Sequence, residues 1–239
     1  MKTLSSVKDT FEKDGVISLG QFFDTHEIDL YNEMLINLFY HKNGTVRETA
    51  ADLSRLLDQN TGSNATLQVV NAYKHEERLM ELVTHPGILE VVSELLGEKV
   101  YLFRDQAFYK PPHYGGEIFM HQDNRYWHLS KPNAIIVWIA FNDVTVENGC
   151  VHYIKGTHKN WIAHKQAMAG SSVQLEAMAD KSKSFAMPLK KGGVNIHHCQ
   201  TVHWSPENRS SYGRLGYTIA YLGENSESKK YPGPYLRLR

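Results

Sequence analysis

The stretch KVYLFRDQAFYKPPHYGGEIFMHQD, residues 99–123, decides the fold. Before it, apolar residues recur at helical spacing. From Lys99 onward they come as short runs of Val, Ile, Tyr and Phe separated by Gly, Pro and Asn, the pattern of a β-sandwich or barrel. Residues 100–109 and 118–123 read as the first two strands, and similar segments follow at 134–141, 150–154, 185–188, 194–198, 201–204 and 214–221. Such a series fits a double-stranded β-helix, a cupin-like jelly roll whose mouth can hold a small molecule.

Upstream, residues 1–98 read as a mostly helical flank. The spacing predicts a short helix over 7–13, an apolar run Val16-Ile17-Ser18-Leu19, and a longer helix over 25–40 on Ile28, Leu30, Tyr31, Met34, Leu35 and Leu38. Residues 41–68 are polar and weakly periodic, with a helix expected near 49–57. A helical pair follows over 76–96, broken at Pro86-Gly87 and closed by Gly97 as a C-cap. The expected fold class is therefore mainly β with N-terminal helices. One domain spans 1–239, with a jelly-roll core at 99–223 and a polar, Gly/Ser-containing mobile lid or insertion at 164–183.

Composition narrows the function. Hydrophobic residues are 41% and charged residues 22% of the 239, enough to bury a core. Lys plus Arg and Asp plus Glu both number 26, which leaves no net field to attract nucleic acid or an anionic membrane. No run approaches the ~20 apolar residues of a membrane span, and the start lacks a signal-peptide core, so a cytoplasmic location is expected. Cys150 and Cys199 are too few for a disulfide framework and read as reduced, buried thiols. The 13 His are the unusual feature, and most lie in the second half.

His121-Gln122-Asp123 is the central motif. On a strand, residues i and i+2 share a face, so the His121 imidazole and Asp123 carboxylate can both enter the barrel. Two imidazoles and one carboxylate make the facial triad of non-haem Fe(II) oxygenases, which leaves positions free for cosubstrate and oxygen. A third ligand must come from His197, His198 or His203. The segment HWSPENRSSYGR, 203–214, favours His203, because a strand, a loop and a second strand would form a hairpin bringing His203 and Arg214 together. Arg214 offers a planar, permanently charged fork suited to the distal carboxylate of a diacid, and Ser205 would share the face of His203.

These residues resemble those of the phytanoyl-CoA dioxygenase (PhyH-like) family. The matching stretches are KPP at 110–112, HQDNRYW at 121–127, ENGCVHYIKGTHK at 147–159 and HHCQTVHWSPENRSSYGR at 197–214. The resemblance implies an oxidoreductase in which His121, Asp123 and His203 bind Fe(II). Arg214, assisted by Ser205, would hold 2-oxoglutarate, and Trp138 and Asn124 would line its pocket. It implies O2-dependent conversion of 2-oxoglutarate to succinate and CO2, coupled to hydroxylation of an unactivated C–H bond in a small organic substrate. The carboxylate at Asp123 disfavours a halogenase, where a small residue makes room for chloride.

Gln106, Arg125, Tyr126 and Trp127 are candidate substrate contacts; rim packing accounts equally well for Tyr126 and Trp127. His152, His158, His164 and His198 read as packing or hydrogen-bonded residues rather than further ligands. The group Lys181, Lys183, Lys190 and Lys191 reads as a solvated face rather than a seat for an anionic carrier. Two other functions stay open on sequence alone, namely an iron- and 2-oxoglutarate-binding module without turnover, and a Zn(II) metalloenzyme on the same triad. Oligomeric state and the identity of the substrate are not encoded in any motif.

Overall fold

The computed structural model describes residues 4–47, 51–52, 66–97, 99–113, 115–166 and 175–239. Helix α1 (Leu4–Asp14) leads into strand β1 (Val16–Gln21), formed by the apolar run at 16–19. Helix α2 (Thr25–Phe39) starts where the Asp24 carboxylate accepts the His26 N–H, a cap worth about 1 kcal/mol. It buries Ile28, Tyr31, Leu35, Leu38 and Phe39 along one stripe. The pair expected at 76–96 becomes α3 (Leu79–Val83) and α4 (Pro86–Leu96). Pro86 is tolerated as the first residue of α4 because that position needs no intrahelical N–H, and Gly97, at φ 99°, ends the helix. The expected helix at 49–57 lies outside the described residues except for Ala51–Asp52, which form strand β2 instead.

A large antiparallel sheet carries the core. It begins at β1 and continues through β11 (Gly193–His198), β6 (Ala134–Ala140), β13 (Arg214–Leu222), β4 (Tyr101–Lys110), β3 (Leu67–Val70) and β2, with β14 (Leu236–Arg237) also pairing with β4. The second sheet orders β10 (Phe185–Ala186), β7 (His152–Tyr153), β12 (His203–Ser205) and β5 (Ile118–His121). Two sheets with helices outside the larger one make the expected jelly roll. Within the stretch expected as a lid, β8 (His164–Gln166) and β9 (Leu175–Ala177) pair with each other, and residues 167–174 lie outside the described residues.

Alternation along the large sheet separates core from cavity. Ile135, Val137 and Ile139 of β6, Val194 and Ile196 of β11, and Leu215, Tyr217, Ile219 and Tyr221 of β13 all join the cluster packed under the helices. Their neighbours Ile136, Trp138, His197, Arg214 and Thr218 face the other way, into a cavity between the sheets. Both faces of β6 and β13 are thus buried, which is why AIIVWIA reads as an unbroken apolar run.

Two expectations are corrected. Strand β5 stops at His121, so Asp123 is not on a strand: at φ −56° and ψ −39° it heads the short helix α5 (Asn124–Trp127). Nor do His203 and Arg214 flank a hairpin. β12 pairs with β5 and β7 in the small sheet, whereas β13 pairs with β4 and β6 in the large one. The loop between them crosses from sheet to sheet, and Asn208 holds it by donating to the carbonyls of Lys110, Pro111 and Tyr212 while accepting from Ser210.

Gly216 is where the large sheet accommodates Trp138. A Cβ at that position would lie 2.3 Å from Cζ2 of the indole. Gly216→Ala is expected to displace Trp138 and destabilise the protein by ~1–3 kcal/mol, the usual cost of overpacking. Urea denaturation monitored by tryptophan fluorescence checks this, and an unchanged midpoint and spectrum would contradict it.

Candidate active site

The pairing of β5 with β12 sets His203 directly opposite His121, and their ring centroids lie 4.2 Å apart. The turn after β5 then swings Asp123 beneath both rings, with its Oδ1 3.6 Å from His121 Nε2 and its Oδ2 3.8 Å from His203 Nε2. Gln122 fixes that turn. Its amide donates to the carbonyls of Asn160 (2.9 Å) and Gln200 (2.6 Å), its Oε1 accepts the Ile162 N–H, and its own backbone N–H donates to His164 Nε2.

Each imidazole of the pair has its other nitrogen against a carbonyl. His121 Nδ1 lies 2.7 Å from the Phe119 oxygen and His203 Nδ1 lies 2.9 Å from the Thr201 oxygen. A carbonyl only accepts, so each Nδ1 carries the proton and each Nε2 presents a bare lone pair to the centre, the arrangement a metal-binding His needs. One atom from each of His121, Asp123 and His203 falls within a mutual 4.8 Å. Burial pushes the His203 pKa well down, with His121 adding to the effect, so the ring is neutral at pH 7. Burial alone would raise the Asp123 carboxyl, but with the hydrogen bond it accepts from His197 its pKa lies below the usual carboxylate range and it is ionised.

A fourth ring completes the cluster. His197 Nε2 donates to Asp123 Oδ2 at 3.2 Å, and its Nδ1 lies 3.4 Å from the Tyr153 hydroxyl. Across the cavity, Arg214 is 1% exposed and donates through Nη1 to the Gly149 carbonyl at 2.7 Å. Its guanidinium carbon sits 5.4 Å over the Trp138 ring. Burial draws its pKa down to about 10, which still leaves it charged at neutral pH. Arg214 Nε and the hydroxyl of buried Ser205 both lack a hydrogen-bond partner. Buried donors left open are costly unless a ligand meets them, so this wall of the cavity is built for an anionic group. Lys110 stiffens the wall from behind, its ammonium donating to the carbonyls of Ser205 and Pro206.

Residues 11–216 match the family model described as Phytanoyl-CoA dioxygenase (PhyH). The chain belongs to the phytanoyl-CoA dioxygenase family. Phytanoyl-CoA dioxygenase domain-containing protein 1 of Mus musculus is 27% identical over 71% of this chain, which spans only 61% of that relative's length. Ectoine dioxygenase of Bordetella bronchiseptica is 23% identical over 89% of this chain and 73% of its own. Among solved structures, the non-heme alpha ketoglutarate dependent epimerase SnoN superposes with a TM-score of 0.79 at 20% identity, covering 99% of this chain and 98% of SnoN. EctD from S. alaskensis, solved with 2-oxoglutarate and 5-hydroxyectoine, gives 0.75 at 19% identity over 95% and 80%. Both structures share the jelly-roll fold.

In this PhyH-family chain the residues singled out from sequence largely converge. His121, Asp123, His203, Ser205, Arg214 and Trp138 line one cavity of about 750 Å³, and Gln106, Arg125, Tyr126 and Trp127 line it too. Asn124 does not. It is buried, and its Oδ1 accepts the Leu129 N–H at 2.8 Å, which closes the turn after α5. The other histidines are occupied as expected: His152 by the Cys150 carbonyl and the Trp204 ring, His158 by the Glu12 carbonyl, and His164 by Gln122 and Ile162. Lys181, Lys183, Lys190 and Lys191 each meet a carboxylate at the surface. Gln122 escaped sequence reasoning, and His197 was considered only as a third ligand. Strand alternation allowed at most one of His197 and His198 to face inward, and the packing role expected for His198 leaves that place to His197.

His198 takes the outer side, where Nδ1 accepts the Gln200 N–H at 3.1 Å and the ring packs against Phe11 and His158. Burial, with His158 beside it, draws its pKa down to about 4. Because the unfolded chain takes up that proton near pH 6.5, the stability His198 allows is whole above pH 6.5 and is lost as pH falls toward 4, by on the order of 3 kcal/mol. His198→Asn keeps an acceptor but does not titrate. Its denaturation midpoint is expected to fall less steeply than that of the wild type between pH 6.5 and 4; parallel curves would contradict the assignment.

Proposed function

We propose that the chain is an Fe(II)- and 2-oxoglutarate-dependent dioxygenase that hydroxylates an unactivated C–H bond of a small organic molecule, releasing succinate and CO2. The observation that carries this is the coexistence, in one cavity, of two imidazoles with bare Nε2 atoms beside an ionised carboxylate and of a buried Arg214–Ser205 pair with open hydrogen bonds. The donor set fits ferrous iron, and the open pair fits the distal carboxylate of a 2-oxo diacid. Likeness in fold to an alpha ketoglutarate dependent epimerase and to EctD supports the same reading.

In this scheme His121, Asp123 and His203 would hold the metal at the wall of the cavity they line. Bound ferrous iron would supply O2 activation coupled to oxidative decarboxylation of 2-oxoglutarate. The chain's part is position and exclusion. Arg214 and Ser205 fix one end of the cosubstrate, and Trp138 stacks beside the guanidinium. Ile136, Phe119 and Val151 give the interior apolar walls that keep water from the reacting centre. His197 donates to Oδ2 of Asp123 and so holds the carboxylate in place between the rings of His121 and His203. A zinc hydrolase on the same triad would leave Arg214 and Ser205 idle. A binding module without turnover would not need a cavity that extends well past the cosubstrate wall.

Anaerobic loading with Fe(II) and 2-oxoglutarate is expected to give a visible metal-to-ligand absorption band, and admission of O2 to give succinate. Arg214→Ala is expected to weaken 2-oxoglutarate binding by about 30-fold or more, the cost of losing a buried charge pair, while Fe(II) affinity stays unchanged. Calorimetry of each ligand separates the two effects. Equal loss of iron and cosubstrate would remove Arg214 from the proposed role.

A further inference from the structure

The charges lining the cavity do not balance. Four cationic side chains face it, those of Arg104, Arg125, Arg214 and Lys230, against a single carboxylate, that of Asp123. On the outer surface Lys99, Lys155, Lys181, Lys190 and Lys191 each meet an acidic partner. Among the described residues, Arg104, Arg125 and Lys230 meet none. In the proposed function the charges of ferrous iron, Asp123, a 2-oxoglutarate dianion and Arg214 cancel. Three cations then remain without a carboxylate, two of them, Arg104 and Lys230, sharing the Tyr231 hydroxyl.

Arg104 is the best placed of these. β4 points Arg104, Gln106 and Phe108 into the cavity in alternation, with Asp105 and Ala107 turned to the helices. The guanidinium sits among aromatic rings, 4.6 Å from the Phe103 centroid, 4.2 Å from that of Tyr231 and 5.9 Å from that of Trp127, and it donates to the Tyr231 hydroxyl. Its Nε is buried without a partner. Two positions along, Gln106 accepts from the Gln68 amide and so keeps its own NH2 for a ligand. The rest of the wall here is apolar: Phe108, Ile118, Phe119 and Leu175. Asp123 acts on Arg104 only from beyond ion-pair distance, and holding Tyr231 does not require a buried Nε left open toward a cavity.

We infer that the primary substrate is an amphipathic anion, its apolar body lying along Phe108, Ile118 and Phe119 and its carboxylate or phosphate seated on the Arg104 fork, with Arg125 and Lys230 drawing it in. This rests on the proposed function, because Arg214 must be taken by 2-oxoglutarate. The test is calorimetry on the full chain, loaded anaerobically with Fe(II) and saturating 2-oxoglutarate. The probes are phenylalkanoates of graded chain length, their primary amides, and the matching phenylalkyl phosphates.

The anions are expected to bind about tenfold or more tightly than the amides, with an advantage that shrinks as NaCl is added. Comparison of carboxylates with phosphates identifies which headgroup the fork prefers. Arg104→Gln should abolish the preference and Arg104→Lys retain part of it; if Arg104→Gln does not fold, the wild-type salt dependence and Arg104→Lys decide. Amides that match the anions across the series, or a preference that survives Arg104→Gln, overturn the inference. Failure of 2-oxoglutarate to bind at the outset counts against the proposed function instead, so the two are told apart.

Discussion

A sheet buried on both faces leaves no position neutral. In β6, β11 and β13 each side chain must either join the core beneath the helices or face the cavity, and the step of two residues allows no third choice. Ile135, Val137 and Ile139 therefore commit Ile136 and Trp138 to the cavity, and Leu215 and Tyr217 commit Arg214 and Gly216. The hydrophobic drive that docks the helices is thus what aims Arg214 inward. A register slip of one residue would bury charge under α2 and expose the core stripe, so folding energy and site geometry are fixed by the same pairing.

The small sheet contributes the opposite wall with few residues. β5 and β12 are short, yet their register alone brings His121 and His203 face to face, and backbone carbonyls two residues upstream of each ring set the tautomer. Asp123 enters from a helical turn and not from a strand. That turn lets a carboxylate reach both imidazoles at once, and the Gln122 bonds to loops 160–162 and 200 hold it. Ligand-ready chemistry here is mainly backbone chemistry, with side chains selected to suit it.

Much of this was legible in the residues. The shift from helical to strand spacing near Lys99 marked the jelly roll, and the combination of HxD with a later HxS and Arg214 marked the cavity. What escaped was information that sequence does not carry locally. The loop from Pro206 to Gly213 looks like a hairpin turn, because Pro, Asn and Ser suit any tight connection, whether it joins strands in one sheet or in two. HQD alternates correctly for a strand, and the bonds of Gln122 and of the Asn124 N–H to distant loops accompany its turn into a helix. For His197 and His198, the inward side was set by Ile196 packing under the helices. Arg104 belongs to no motif, and its meaning lies in an absent partner.

The pairing of β1 with β11 has a consequence for how the chain comes into being. Val16 lies opposite His197 and Ile17 opposite Ile196, while the Gly15 carbonyl accepts from both His198 and Thr201. Contacts of such sequence separation are slow to close. At ~5–20 residues per second of synthesis, the first strand emerges roughly ten seconds or more before its mate exists. Until then Val16–Gln21 has no strand to pair with, and even in the finished sheet it remains the terminal strand. Closure of the large sheet at β1 is therefore a late step of folding, one that waits until nearly the whole core has been made.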